Sequence, residues 1–387
     1  MIHPLTPEQQ EIRNAILKLC GRFGDDYWLA RDADGEFPWE FRQALADAGF
    51  LGISLPETYG GGGLGLTEGM LMMQAIAESG AGFSGGTAVG FGVWAPRILV
   101  NFASEEQKAR WLPPIIRGEI LSSFSVTEPD AGLDTTNIST FARRDGDRYI
   151  VNGRKAWCSV AQRASKILLL TRTSPRDPDN PTEGMTLFYT DLDRNRIEVR
   201  EIQKMGRKCV DSNLLFIDDL EVPVEDRVGE EGKAFRYLLM GLNPERIMMA
   251  GQAVGLGRAA LAKATQYARD RVVFGRPIGQ NQAIQHPLAV NWMQLEAAQL
   301  MTLRAAALYD AGQSCGAEAN AAKYLAAEAG FEACTRAILI HGGMGYAKEY
   351  HVERYLREVM IPRIAPVSAE MVKNFIAEKV LDLPKSY

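Results

Sequence analysis

The chain has 387 residues, of which 46% are hydrophobic and 24% charged, and its formal net charge is −5. This composition is typical of a globular protein, and the length predicts two or three domains. Because the chain is weakly acidic and its basic residues are scattered, nucleic acid is not expected to be a partner.

Signals for targeting and metal binding are absent from the sequence. No apolar run approaches the roughly 18 residues that cross a bilayer, and the first residues lack the layout of a signal peptide. The five cysteines are not closely spaced and predict reduced thiols. Neither they nor the four histidines show the spacing of metal ligands. We therefore expect a cytoplasmic protein with no membrane span and no metal site.

Residues 1–120 are predicted to be helical. The segment TPEQQEIRNAILKLCGRFG has a Thr cap, a Pro at the first helical position and apolar residues at helical spacing, and it ends near a glycine. The segments PWEFRQALADAGF and LTEGMLMMQAIAESGAG repeat this pattern.

Residues 121–233 are predicted to form an antiparallel sandwich or barrel. The pair Asn152-Gly153 lies between two apolar runs and predicts a hairpin turn. Further short strands are predicted in KILLLTRT, MTLFYTDL, IEVREI and NLLFIDDLEVP.

Residues 234–387 are again predicted to be helical and to form a bundle of four or five helices. The order of helices, strands and helices indicates an α+β protein with segregated layers, not a βαβ sheet.

The segment GLNPERIMMAGQAVGLG, residues 241–257, has a charged start and a continuation of small apolar residues. Asn243 and Pro244 predict the start of a helix, because Asn caps helices and Pro tolerates the first helical position. The continuation predicts a buried helix in close contact with its neighbours. Glu245 and Arg246 then have two interpretations: a first-turn acid with an ion-paired partner, or a functional carboxylate.

Four motifs in chain order resemble those of the acyl-CoA dehydrogenase family of flavoproteins. They are FSVTEPDAGLD (124–134), NGRKAWCS (152–159), RVVFGRPIGQNQAIQ (271–285) and HGGMGY (341–346). The resemblance covers nearly the whole chain. It implies an N-terminal helical domain (1–120), a middle antiparallel β domain (121–233) and a C-terminal four-helix bundle (234–387), with FAD as cofactor.

The resemblance implies that the first two motifs contact the flavin ring, whose orientation is the task of the protein in such enzymes. The expected contacts are Phe124, Val126, Thr127, Trp157, Cys158 and Ser159. Core packing is the alternative for Trp157, because a large aromatic residue on a strand usually packs in the core.

The last two motifs resemble the segments that hold the rest of FAD. Residues expected to bind its pyrophosphate and adenosine end in the neighbouring subunit are Arg271, Phe274, Asn281 and Gln282. An Arg suits phosphate because its donors form a fork; a salt-bridged loop Arg is the alternative. Further flavin contacts are expected at Leu339, Gly342 and Gly343. A site shared between subunits implies a dimer, often paired into a tetramer.

The position of the catalytic base distinguishes branches of this family. Most members carry a glutamate in a segment after the double glycine, where this chain has IAPVSAEM with Pro366. In a branch that includes isovaleryl-CoA and long-chain enzymes, the glutamate begins the first C-terminal helix, at the position of Glu245. The resemblance therefore implies that Glu245 removes the α-proton while the β-hydrogen leaves as hydride to flavin N5, with Arg246 as its companion at the substrate. Burial would raise the pKa of such a carboxyl toward the working pH.

Several positions depart from the family pattern. Pro366 has no N–H to polarise the thioester carbonyl, so either the Val367 amide replaces it or one donor is missing. Ser368 and Glu370 follow at positions expected near the cofactor. Leu133 and Asn243 replace polar residues that commonly contact the CoA portion.

The leading hypothesis is an FAD-dependent dehydrogenase that converts an acyl-CoA to trans-2-enoyl-CoA in fatty acid β-oxidation and passes electrons to an electron-transfer flavoprotein. A medium-to-long or 3-methyl-branched acyl group is favoured. One alternative is a flavin oxidase or monooxygenase of the same fold that acts on a non-CoA substrate. The other is a non-catalytic subunit, which predicts a colourless protein.

Overall fold

The computed structural model describes residues 5–90 and 96–386. Helices come first, a sheet follows, and helices return, as the sequence predicts. Within the described residues, no helix is both long and apolar enough to cross a membrane. In the same ranges, no group of three or more His, Cys, Asp or Glu side chains is arranged to hold a metal ion.

The N-terminal helices pack around aromatic side chains that include Trp28 and Phe41. The predicted cap of α1 is confirmed: the Thr6 hydroxyl accepts from the Gln9 N–H at 3.2 Å, and the Gln9 side chain accepts from the Thr6 N–H at 3.1 Å. The helices are α1 Pro7–Cys20, α2 Asp25–Asp34, α3 Trp39–Asp47, α4 Leu66–Ile76, α5 Gly82–Gly90, α6 Pro96–Phe102 and α7 Glu105–Ile116.

The middle of the chain forms one mixed sheet with the strand order β6-β7-β3-β2-β4-β5-β8. Most neighbours are antiparallel, but β4 pairs in parallel with both β1 and β2, and Phe124 of β1 lies opposite Leu168. The strands are β1 Ser122–Ser125, β2 Phe141–Asp145, β3 Arg148–Ser159, β4 Lys166–Arg172, β5 Met185–Asp191, β6 Ile197–Glu201, β7 Ser212–Pro223 and β8 Arg227–Val228.

The hairpin predicted at Asn152-Gly153 is wrong. Strand β3 runs straight through this pair, and its register against β7 shifts between Val151 and Gly153, so the pair lies in a β-bulge. The Asn152 side chain pairs with the Asp219 backbone and side chain at 2.8–2.9 Å. Glycine is required at 153 because a Cβ there would lie 2.5 Å from the Thr140 hydroxyl. An Asn-Gly pair is compatible with either a hairpin turn or a β-bulge, and the pairing of β3 with β7 makes it a bulge in this chain.

The C-terminal part is a helical bundle built around one long helix, α8, which packs on α9, α10 and α4. A short hairpin of β9 and β10 separates α8 from α9. The elements are α8 Ala234–Asp270, β9 Val272–Val273, β10 Arg276–Pro277, α9 Gln282–Asp310, α10 Gly316–His341, α11 Val352–Val359, α12 Ile361–Ile364 and α13 Ala369–Lys379.

The helix start predicted at Asn243-Pro244 is also wrong. Helix α8 begins at Ala234 and continues through Pro244. The Asn243 side chain does not cap a backbone N–H; its Oδ1 accepts from Arg246 Nη1 at 3.0 Å. A proline inside a helix costs about 3 kcal/mol, and the burial of α8 against its neighbours offsets that cost. Glu245 therefore lies in the helix interior, which removes its interpretation as a first-turn acid.

Small residues let α8 approach the N-terminal helices closely. A Cβ at Gly255 would overlap the Gln74 carbonyl oxygen on α4, and a Cβ at Gly251 would lie 2.9 Å from the Met70 side chain. The predicted close contact of the segment 241–257 with its neighbours is confirmed.

Replacing Gly255 by Ala should lower the thermal unfolding midpoint, because the added methyl forces α8 away from α4; overpacking of this kind costs about 1–3 kcal/mol. Gly241→Ala in the same helix is the matched control, since its Cβ would meet no backbone, only the Cδ1 and Cγ1 atoms of the Ile98 side chain at 3.3 Å. That control should be neutral or more stable by up to about 1 kcal/mol, from helix propensity. Equal midpoints for the two variants would contradict the packing described here.

Candidate active site

Two of the sequence motifs lie side by side on the sheet. The Ala156 N–H donates to the Thr127 carbonyl at 2.8 Å, and Ser123 Oγ donates to the Ser159 carbonyl at 2.9 Å. These bonds bring the 124–127 and 157–159 segments together, as contact with a single flavin ring requires. Phe124, Val126 and Thr127 are each partly exposed.

Trp157 is turned out of the sheet by a second bulge in β3. The register against β7 shifts between Lys155 and Cys158, and Trp157 has a left-handed φ of +60°. Bulges of this kind re-aim a side chain. As a result, 58% of Trp157 is exposed, so core packing is not the role of this aromatic residue.

The neighbouring side chains of the same motif face the interior. The Cys158 thiol is buried and accepts from Ser125 Oγ at 3.0 Å, while its carbonyl accepts from Asn213 Nδ2 at 2.9 Å. Burial raises the pKa of this thiol to about 11. Ser159 is also buried, with 9% exposure. A cofactor on the outer face would therefore meet Trp157 and not the Cys158 side chain.

The segment between α8 and α9 forms an exposed corner. Arg271 is exposed and forms no ion pair with any described residue, which removes its interpretation as a salt-bridged loop Arg. Phe274, at the tip of the β9–β10 hairpin, is fully exposed and has φ +52°. Asn281 accepts from Arg276 at 2.8 Å and donates to the Ile278 carbonyl at 3.0 Å. Gln282, the first residue of α9, is exposed.

The end of α10 lies beside this corner. The Tyr267 ring stacks on His341 with centroids 4.3 Å apart, which joins the last turns of α8 and α10. Gly342 and Gly343 follow, and a Cβ on either would meet no atom within 4 Å. Leu339 is 62% exposed. The predicted contacts of the last two motifs thus share one open surface on the helical bundle.

Glu245 lies on α8, the helix that packs against α4, α9 and α10. It is partly buried; burial raises its pKa to about 7, and the charges of Arg246 and Lys323 act in the opposite direction. Arg246 is also partly buried, and no described residue accepts a hydrogen bond from its Nε. A carboxyl with a pKa near neutrality exchanges a proton readily at working pH.

Lys323 is a third charged residue that acts on Glu245, and no motif in the sequence pointed to it. It lies on α10 with 1% exposure, and its Nζ donates to the Val367 carbonyl. Burial and the Arg246 charge lower its pKa to about 8, although Glu245 and two other carboxylates oppose them. Helical spacing is the sequence feature that indicates the burial of Lys323, since it lies on the same face of α10 as the buried Ala319, Ala322 and Ala326.

The segment after α12 is held in place by Lys323 from one side. No described residue accepts from the Val367 N–H, and the Ser368 hydroxyl caps α13 by accepting from the Met371 N–H at 3.3 Å. Glu370 is exposed and lies 3.9 Å from Lys373. Leu133 is 61% exposed, on the loop that follows β1.

Comparison with known proteins assigns the chain to a class. Family models for the N-terminal, middle and C-terminal domains of acyl-CoA dehydrogenase match residues 6–119, 123–220 and 232–381. The chain belongs to the acyl-CoA dehydrogenase family. It is an oxidoreductase of that class, and its cofactor is FAD.

Individual relatives resemble the chain over nearly its whole length. Acyl-CoA dehydrogenase FadE12 of Mycobacterium tuberculosis is 38% identical, over 98% of this chain and 97% of that protein. Caffeyl-CoA reductase-Etf complex subunit CarC of Acetobacterium woodii is 34% identical, over 90% and 92%. The solved complex of glutaryl-CoA dehydrogenase with glutaryl-CoA superposes with a TM-score of 0.94 at 30% identity, covering 100% of this chain and 98% of that chain.

The described residues fit FAD. Trp157 and Phe274 expose aromatic surface, Arg271 offers a guanidinium without an ion-pair partner among the described residues, and Gly342 and Gly343 leave open space where a Cβ would be. An aromatic surface suits a flavin ring, and a guanidinium suits a pyrophosphate.

Replacing Glu245 by Gln should stabilise the protein at high pH and not at low pH. Since the folded pKa lies above the ordinary 4.5, the folded protein retains a proton that the unfolded chain loses between about pH 4.5 and 7. Glu245 therefore lowers stability progressively across that window, and the cost of about 1–3 kcal/mol persists above it.

Calorimetric unfolding midpoints at pH 5 and pH 8 measure this effect. Glu332→Gln, at a surface position on α10, serves as the control for loss of one negative charge. A Glu245→Gln midpoint that does not exceed the wild-type value at pH 8 would show that this carboxyl is not destabilised by burial.

Proposed function

We propose that this enzyme oxidises an acyl-CoA thioester between its α and β carbons, with Glu245 as the base that removes the α-proton. FAD supplies the two-electron acceptor for the β-hydride when it is bound. The product would be a trans-2-enoyl-CoA. The observation that carries the proposal is a carboxyl inside a buried helix whose pKa is raised by burial to about 7.

The electrostatics of the site suit a base that must hold and release a proton. Burial favours the neutral acid, whereas the charges of Arg246 and Lys323 favour the carboxylate. The balance leaves the pKa near the pH at which a general base is most effective. Without these two positive charges the pKa of Glu245 would be higher. A smaller fraction of the carboxyl would then be deprotonated at neutral pH and able to accept a proton.

The thioester carbonyl also needs donors, because negative charge develops on its oxygen as the α-proton leaves. Pro366 has no N–H. The Val367 N–H, for which no described residue is an acceptor, is the donor that we assign to this carbonyl. Lys323 fixes the orientation of the same peptide segment through the Val367 carbonyl.

The exposed surface and the relatives support two proposed partners. Trp292, Met293 and Leu300 on α9 are each at least 50% exposed, as is Phe274 on the adjoining hairpin. A second copy of the chain would cover this apolar face, giving a dimer or tetramer with FAD bound between subunits. One relative is named as part of an Etf complex, which supports an electron-transfer flavoprotein as the acceptor. A place in fatty acid β-oxidation, on a medium-to-long or 3-methyl-branched acyl group, completes the proposal.

A second candidate is a flavin oxidase of the same fold that acts on a non-CoA substrate. It is favoured by Leu133, which exposes an apolar side chain where the family commonly has a polar CoA contact, and by Pro366. Glu245 disfavours it, since the proposed role of this carboxyl is to remove the α-proton of a thioester.

Anaerobic mixing of the purified enzyme with acyl-CoAs of increasing length should bleach the flavin absorbance in the wild type. Glu245→Gln should slow this reduction by roughly 10²–10⁴-fold, the contribution of a positioned base. The wild-type rate should rise with pH and level off above about pH 7, because the unprotonated carboxylate is the active form.

The control for this experiment is Glu332→Gln, which should reduce at the wild-type rate. Bleaching by Glu245→Gln at the wild-type rate would exclude Glu245 as the base. The chain-length profile of the wild type also identifies the preferred acyl group. Absence of bleaching with every acyl-CoA would overturn the proposed reaction.

Comparing oxygen uptake with reduction of an artificial electron-acceptor dye separates the two candidates. A dehydrogenase should turn over with the dye and consume little oxygen, because its reduced flavin is reserved for a protein acceptor. Oxygen uptake equal to dye reduction, with a substrate that lacks CoA, would instead support the oxidase.

A further inference from the structure

A buried ion pair lies between the two segments that carry the expected flavin-ring contacts. Lys155 is 0% exposed and Glu128 4% exposed, and Lys155 Nζ lies 2.8 Å from Glu128 Oε1. The same Nζ donates to the Val126 carbonyl at 3.1 Å. One ammonium group on β3 therefore holds both a backbone carbonyl and a carboxylate of the segment that follows β1.

Glu128 is fully engaged as an acceptor. Its Oε2 accepts from the N–H and the hydroxyl of Ser139 at 2.7 and 2.8 Å, and its Oε1 accepts from the Thr140 N–H at 3.0 Å in addition to Lys155. Burial opposes its charge, but the Lys155 ammonium and these donors together lower the pKa of Glu128 to about 2. The carboxylate thus connects the β1 end, β3 and the approach to β2.

The pair is flanked on both sides by expected flavin contacts. On one side are Val126, whose carbonyl Lys155 holds, and Thr127, whose carbonyl accepts from the Ala156 N–H. On the other side is Trp157, two residues after Lys155, on the bulge that exposes its ring. The ion pair therefore connects the two segments at a point between these expected flavin contacts.

We propose that Lys155 and Glu128 are positioning residues for the flavin ring, which hold the Val126–Thr127 backbone and the Trp157 bulge in register with each other. The proposal rests on FAD as the cofactor and on the flavin contacts expected from the sequence. Stability alone does not account for the pair, because well-packed apolar residues often replace a buried ion pair without loss of stability. What apolar residues cannot supply is a donor for the Val126 carbonyl.

Three variants test the proposal: Lys155→Met, Glu128→Gln and the double variant. FAD affinity is measured by titrating the apoprotein with FAD, and the flavin environment by the visible absorption spectrum. Each single variant should bind FAD about five- to tenfold more weakly, the effect of one lost hydrogen bond, and should show shifted flavin absorption bands. The double variant should regain thermal stability, since no unpaired charge remains, but should keep the weaker affinity and the shifted spectrum.

Arg42→Met is the matched control, because Arg42 is likewise a buried cation that holds two backbone carbonyls, those of Gly118 and Ile120, at 2.7 and 3.0 Å. It should lose stability while its FAD affinity and spectrum stay at the wild-type values. A double variant with wild-type affinity and spectrum, whatever its stability, would show that the pair does not position the flavin and would overturn the proposal. So would weakened FAD binding of equal size in Arg42→Met.

These measurements need no substrate, so their outcome is independent of whether acyl-CoA reduces the flavin. If the double variant does not fold, Glu128→Gln alone decides. It keeps the side-chain shape and one acceptor oxygen, but it replaces the other oxygen by an NH2 donor and removes the charge that holds Lys155. Wild-type affinity and spectrum in that variant would contradict the positioning role.

Discussion

The close contact between α8 and α4 is the constraint on which the candidate active site depends. Glycines at 251 and 255 remove the side chains that would separate the two helices. Because the helix is pressed into the core, the carboxyl that it carries is drawn out of water, and burial raises the pKa of Glu245. A helix with larger residues at these positions would lie further out, and the same carboxyl would be an ordinary surface acid.

Two cations oppose the effect of this burial on the pKa of Glu245. A carboxyl in an apolar helix interior would stay neutral at working pH, and a neutral acid cannot accept a proton. Arg246 on the same helix and Lys323 on α10 both favour the charged form. Lys323 is itself less basic than usual because it is buried. The site therefore balances burial against positive charge, and neither helix alone determines the result.

The sheet shows how irregular backbone places functional side chains. Strand β3 contains two bulges, one at Val151–Gly153 and one between Lys155 and Cys158. The first lets the strand continue past Thr140, and the second turns Trp157 outward while Lys155 and Cys158 remain inside. A regular strand would alternate its side chains without exposing this ring, so the second bulge separates the exposed aromatic surface from the buried ion pair below it.

The sequence by itself determined the class of each segment, the cap of α1, the burial of most of residues 247–257 and the membership of the family. Those features rest on local chemistry: helical spacing, a Thr-Pro helix start, small residues and motifs of fixed order. It did not determine that α8 passes through Pro244, that Asn152-Gly153 is a bulge, or that Lys323 and Lys155 are buried beside Glu245 and Glu128. Those features depend on partners distant in the chain, and a local pattern carries no information about which partner offsets a proline, pairs a strand or neutralises a buried charge.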